Sequence, residues 1–104
     1  MSTTTYTLNA PIQAHGEQLT ELTLRRPTIQ EVRNIKMLPY VVGENDMPVA
    51  EVEVAAKYIA VCAGIPPGSV NQLDLSDLNR LVWMVIGFFL SSATKAPDSE
   101  APST

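Results

Sequence analysis

The sequence predicts an α+β domain: an N-terminal β-hairpin over 6–25, followed by three helices at about 29–38, 47–63 and 75–93, mostly helical overall. Three observations predict it. Tyr6, Leu8, Ala10 and Ile12 alternate with Thr7, Asn9, Pro11 and Gln13, the period of a half-buried strand. Two later segments carry apolar residues at helical spacing between clear start and stop signals. Leu81 to Leu90 is a run of ten residues without a charge that continues a helical pattern begun at Leu75.

In the hairpin, Pro11 cannot donate to a ladder, which puts its strand at an edge or turns its Pro11 side outward. Ala14-His15-Gly16-Glu17 supplies the turn, with Gly16 free to take a positive φ. The second strand runs from about Gln18 to Arg25. Leu22 and Leu24 keep one parity and Leu19 the other, which calls for a bulge or twist near the turn.

Pro27 ends the strand, and Thr28-Ile29-Gln30-Glu31 is a capping box. Ile29, Val32, Ile35 and Leu38 make the expected buried stripe of the first helix, which Pro39 closes. Tyr40 to Asn45 reads as a loop, and Asp46 as the cap of a second helix with Pro48 in its first turn. Val49, Val52, Ala56, Ile59 and Ala63 trace its face, widened by Val54, Tyr58, Val61 and Cys62; Gly64 and Pro66-Pro67 end it. Gly68 to Gln72 is the next turn. Asp74 or Ser76 caps the last helix, where Asp74 and Asp77 suit the positive end of its dipole. Met1–Thr5 and 94–104 are expected to be disordered ends of a single domain spanning 6–93.

The composition excludes several functions. At 104 residues the chain supports one modest core. A net charge of −4 opposes a sequence-independent grip on nucleic acid, and the one basic cluster, Arg25-Arg26, reads as a solvated strand end. The apolar run is too short to span a membrane, the start is not a signal peptide, and a soluble protein is expected. Cys62 is the lone cysteine and reads as a small core residue of a protein in a reducing compartment. His15, the lone histidine, has no companion at ligand spacing and reads as a solvated turn residue. Asp74 and Asp77 read as capping groups rather than a catalytic pair. There is no phosphate-binding glycine loop, nucleophile elbow or zinc-ligand pair, so no enzyme, cofactor or metal is expected.

On a helical wheel, Leu75, Leu78, Val82, Val85, Ile86 and Phe89 form a core seam. Trp83, Met84, Phe88 and Leu90 lie off it and are the candidate partner-binding residues. Two readings stay open for Trp83 and Phe88: core, wrapped by the earlier elements, or a face for self-association or a client. A homo-oligomer satisfies both.

The passage Leu8 to Arg33, with Leu-Asn-Ala-Pro-Ile, a Gly-Glu turn and Glu-Leu-Thr-Leu-Arg-Arg-Pro-Thr, resembles the small tail-assembly chaperones of contractile-tailed phages, the P2-like and Mu-like group. Leu73 to Leu78, leading into the helix with Phe88-Phe89, is similar to the end of that family. The resemblance covers roughly half the chain. It departs at Glu31, where many members have Asp, a change that keeps the cap chemistry.

The resemblance implies a non-enzymatic protein of the host bacterial cytoplasm, absent from the mature virion. Such a protein holds the tape-measure protein soluble while tail-tube subunits polymerise. It further implies contact with the tail-tube protein and with a longer, frameshifted form of the same chain. The alternative is a small structural or adaptor subunit retained in the tail. No catalytic residue is implied.

Overall fold

A computed structural model of the chain describes residues 3–91. The order of elements is β1 (Thr3–Ala14), β2 (Glu17–Arg25), α1 (Ile29–Ile35), β3 (Tyr40–Val42), β4 (Pro48–Ala50), α2 (Val52–Ala63), α3 (Pro67–Val70) and α4 (Leu75–Leu90). The α+β class and the N-terminal hairpin are as predicted. The tail expected at 94–104 lies outside the described residues.

β1 and β2 pair antiparallel from Thr3↔Arg25 to Ala14↔Glu17. The strand therefore starts three residues before Tyr6: Thr3 to Thr5 are paired rather than disordered, with the Thr5 and Thr23 hydroxyls 3.1 Å apart. The expected irregularity is present, but its extra residues belong to the first strand. Between Thr7↔Glu21 and Ile12↔Leu19, four residues of β1 oppose Thr20 alone. The register thus shifts by an odd number, and that flips the facing parity of β2. Leu22 and Leu24 are buried on one parity, and Leu19 still packs against the core on the other.

α1 has the predicted capping box: the Thr28 hydroxyl accepts from the Glu31 amide at 3.1 Å, and Glu31 Oε1 accepts from the Thr28 amide at 2.9 Å. Glu31 also takes both arms of Arg25, at 2.9 and 2.8 Å. The Arg25 guanidinium first, and the Thr28 amide second, hold its carboxyl down at about 2. A carboxyl depressed in the folded state stabilises above its unfolded pKa and loses that contribution as pH falls through the folded value. Glu31→Gln is therefore expected to melt below the parent at pH 7, by an amount set by a cap worth about 1 kcal/mol. The gap should close between the ordinary value of 4.5 and about 2, as read by thermal melts across that range. A gap independent of pH would assign the effect to something other than the carboxylate.

α1 stops at Ile35, short of residue 38, because Lys36 turns left-handed with φ 71°. Its expected stripe is only half realised: Val32 and Ile35 pack against the core, whereas Ile29 and Leu38 are exposed. The next correction is larger. Tyr40–Val42 and Pro48–Ala50 form a second antiparallel hairpin, closed by a tight turn at Glu44–Asp46, where a loop and a helix start were expected. The Pro48 reading failed because proline fits an edge strand as well as a first helical turn.

α2 consequently starts at Val52, with Glu51 rather than Asp46 at its N-cap. Its buried face is Val54, Ala55, Tyr58, Ile59, Ala60 and Cys62, so the stripe is rotated from the predicted one and Val49 and Val52 are exposed. The Gly64 cap is left-handed as expected, φ 69°, and its amide and that of Ile65 close the helix onto Ala60 and Val61. The expected turn after it contains the short helix α3.

The core lies between the inner face of the first hairpin and the pair α2 and α4. Tyr58, Ile12, Leu24, Ile59, Leu81, Val85 and Ile86 are fully enclosed there. Tyr58 donates its hydroxyl to the Met37 carbonyl at 2.6 Å, satisfying the one polar atom it carries into the interior. Cys62 is buried, and burial first pushes its thiol up to about 11, which keeps it protonated in the core as expected.

Candidate functional site

The organising element is α4, with one end tied to the first hairpin and the other to Arg26, the residue that follows that hairpin. At the N-terminus Asp74 is the cap, accepting from the Ser76 amide at 3.1 Å and from the Ser76 hydroxyl. Asp77, one turn in, has a larger role than dipole complementation. It is fully buried, accepts the Tyr6 hydroxyl at 2.7 Å, and accepts the Asn9 amide at 2.9 and 3.1 Å and the Ala10 amide at 3.4 Å.

These amides are free because the β1 bulge takes them out of the ladder, and Pro11 beside them has no amide to satisfy. The hairpin's defect is thus the receptor for a helix carboxylate. Burial raises the Tyr6 phenol above its ordinary value, and its hydrogen bond to Asp77 adds to the shift.

The C-terminus is held by Arg26. Its guanidinium donates to the carbonyls of Phe88 at 2.6 Å and Ser91 at 2.8 Å, and lies 5.9 Å from the Phe88 ring centre. These are the carbonyls that a helix leaves without partners, and a cation at this end also suits the dipole. Arg25 and Arg26, expected to be a solvated strand end, are instead a salt bridge to α1 and the C-terminal clamp of α4.

Between these ties, Val82, Val85 and Ile86 are buried, as the seam predicts, and so is Leu81, which the predicted seam left out. Leu75, placed on that seam, is instead 82% exposed. Phe89 is half-buried and stands edge-on to Tyr58, with ring centres 5.1 Å apart. The helix ends at Leu90, before the predicted 93, with Ser91 extended.

The four candidate partner residues divide. Trp83 is 44% exposed and Leu90 58% exposed. Met84 is half-buried and packs partly on the core. Phe88 is half-buried under Arg26. Trp83 and Met84 line an open groove of about 710 Å³ with Tyr6, Ser76, Asn79 and Arg80. Gly87 lies between Trp83 and Leu90 on the outer face, and a side chain added there would meet nothing within 4 Å. The face is therefore flat and open, framed by an indole and a leucine.

Sequence reasoning missed two features. The clamp by Arg26 joins residues more than sixty positions apart, and no local pattern marks it. The second hairpin exposes Val41, Met47 and Val49; its signals were the β-branched residues on either side of Gly43-Glu44-Asn45-Asp46.

His15 is an exposed turn residue with φ 55°, and its Nε2 is 3.0 Å from the Gly64 carbonyl, which ties the hairpin turn to the end of α2. Among the described residues no three His, Cys, Asp or Glu side chains are placed to share a metal ion, and no helix is long and apolar enough to cross a membrane.

A small scaffold whose central helix is fixed at both ends while an indole stays open to solvent has the build of a protein-binding domain. Residues 5–90, 86 of the 104, match the family described as "Phage tail assembly chaperone proteins, E, or 41 or 14". The chain belongs to that family of phage tail assembly chaperones. Comparison with curated proteins and with solved structures gives no match.

Proposed function

We propose that this chaperone binds the phage tape-measure protein and keeps it soluble in the host bacterial cytoplasm until tail-tube subunits enclose it. It acts by binding, without catalysing a reaction, and leaves before the virion is complete. The observation that carries the reading is Trp83, open on the outer face of α4 beside Met84 and Leu90.

A tape-measure protein is long and helical and exposes apolar stripes before it is enclosed. A holder for such a client needs an apolar surface with adaptable side chains, and indole and thioether groups supply area and polarizable packing. Fixing α4 through Asp77 and Arg26 lowers the ordering cost of binding, because the helix is already in place when the client arrives.

Co-expression with the tape-measure protein tests the reading. The client is expected in the soluble fraction and in one complex with this chain. A client equally soluble alone, or never co-purifying, overturns it. Mass spectrometry of purified virions is expected to find the chain absent; its presence would make it the retained structural subunit instead.

A further inference from the structure

The β3–β4 hairpin presents a second apolar surface, on the far side of its anchoring contacts. Val41 and Val49 are register partners and share a face, and Met47 falls on that face by the two-residue period of a strand. All three are exposed. Tyr40 and Ala50, of the other parity, turn inward, and Tyr40 meets the Phe89 ring edge-on at 6.4 Å. Val49 leans over Gly43, where a Cβ would stand 2.8 Å from its Cγ2, so Gly43 leaves the room in which the outer face packs. The inner side is held to the fold at its Tyr40–Ala50 end, with Val42 farther along it exposed, and the outer side stays about half exposed at Val41 and Val49.

The charge around this face is one-sided. From Met37 to Val52 the chain has three carboxylates, Glu44, Asp46 and Glu51, and neither Lys nor Arg. Glu44 and Asp46 sit in the turn at the tip, and Glu51 at the base where β4 runs into α2. Glu53 lies beyond them, in the groove between α2 and α3 beside Lys57. Carboxylates at both ends of an apolar face favour a partner with cations at matching ends. They disfavour a second copy, which would bring like charges together.

We propose that the outer face of the β3–β4 hairpin docks an apolar segment of a partner protein flanked by Lys or Arg, with Val41, Met47 and Val49 as the contact and Glu44, Asp46 and Glu51 as the rim. The proposal rests only on that part of the functional reading in which this chain acts by binding proteins, and it adds a surface separate from α4.

The probe is a pair of synthetic amphipathic peptides with identical Leu positions, one carrying Lys at its ends and the other Glu, titrated by fluorescence anisotropy against the full chain. The Lys peptide is expected to bind at least about tenfold more tightly, with an advantage that shrinks at high salt. Val41→Thr/Met47→Thr and, separately, Glu44→Lys/Glu51→Lys should each weaken it by about tenfold. Glu17→Lys/Glu21→Lys, which changes net charge equally on the first hairpin, and Trp83→Ala should leave it unchanged. A variant that loses its thermal transition is replaced by Val41→Thr alone.

Equal binding of both peptides, equal loss in the Glu17/Glu21 control, loss on Trp83→Ala, or a dimer that Val41→Thr dissociates would each overturn the proposal. Its failure leaves the tape-measure co-purification untouched. A missing tape-measure complex with intact peptide binding would sink only the choice of client.

Discussion

Asp77→Ala is expected to be the most damaging single substitution outside the apolar core. The change leaves the Tyr6 hydroxyl and the Asn9 and Ala10 amides facing a small apolar side chain in a buried site. Hydrogen bonds to a charged acceptor are worth about 1.5–3 kcal/mol each, and stranded donors add their desolvation cost, so a loss of about 3 kcal/mol or more is expected. With a urea slope of roughly 1–3 kcal/mol/M, the unfolding midpoint falls by at least about 1 M.

Asp77→Asn should land between parent and Ala, since its carbonyl accepts while its amide group opposes the donors. Tyr6→Phe, which removes one donor together with its need for a partner, should cost about 1.5 kcal/mol. The pair should show coupling in a double-mutant cycle. Hydrogen exchange at Asn9 and Ala10 supplies a local readout, since both amides should lose protection in Asp77→Ala before the rest of β1 does. A stability within about 1 kcal/mol of the parent's, with those amides still protected, would remove Asp77 from its assigned place.

Trp83→Ala should do less to stability than Asp77→Ala and far more to client binding. An indole 44% exposed still has more than half its surface covered, so a loss of about 1–2 kcal/mol is expected. A central aromatic of a binding face is typically worth about 2 kcal/mol or more, equivalent to roughly a thirtyfold loss of affinity for the tape-measure protein. Phe88→Ala should invert the pattern, because the ring lies beneath Arg26 and its loss disturbs the helix clamp.

Met84→Glu, attractive from the wheel alone as a change that keeps the fold and weakens association, should now also cost stability. Met84 packs partly on the core, and a half-buried carboxylate there has no partner. Parallel co-purification and denaturation of these three variants separates the roles. Normal client capture by Trp83→Ala, or its outright unfolding, would move the binding face elsewhere.

By itself the sequence determined what short-range physics controls. The period-two strand, the capping box at Thr28 and Glu31, the left-handed Gly64 and the buried seam of Val82, Val85 and Ile86 depend on neighbours within a few residues, where dihedral limits and side-chain reach leave few choices. The family motif Glu-Leu-Thr-Leu-Arg-Arg-Pro-Thr was legible as a string, but its purpose was not. Arg25 and Arg26 acquire theirs only when Glu31 and the end of α4 come within reach.

Tertiary structure alone decided the rest. Whether Pro48 opens a helix or an edge strand turned on whether Tyr40 and Ala50 could pack inward. Asp77 is a cap-like residue in any local reading, and it becomes the tie between hairpin and helix because a bulge nearly seventy residues earlier frees two amides and places them at its carboxylate. A buried charge is tolerated only where its partners converge, and that convergence is a property of the folded chain rather than of any stretch of it.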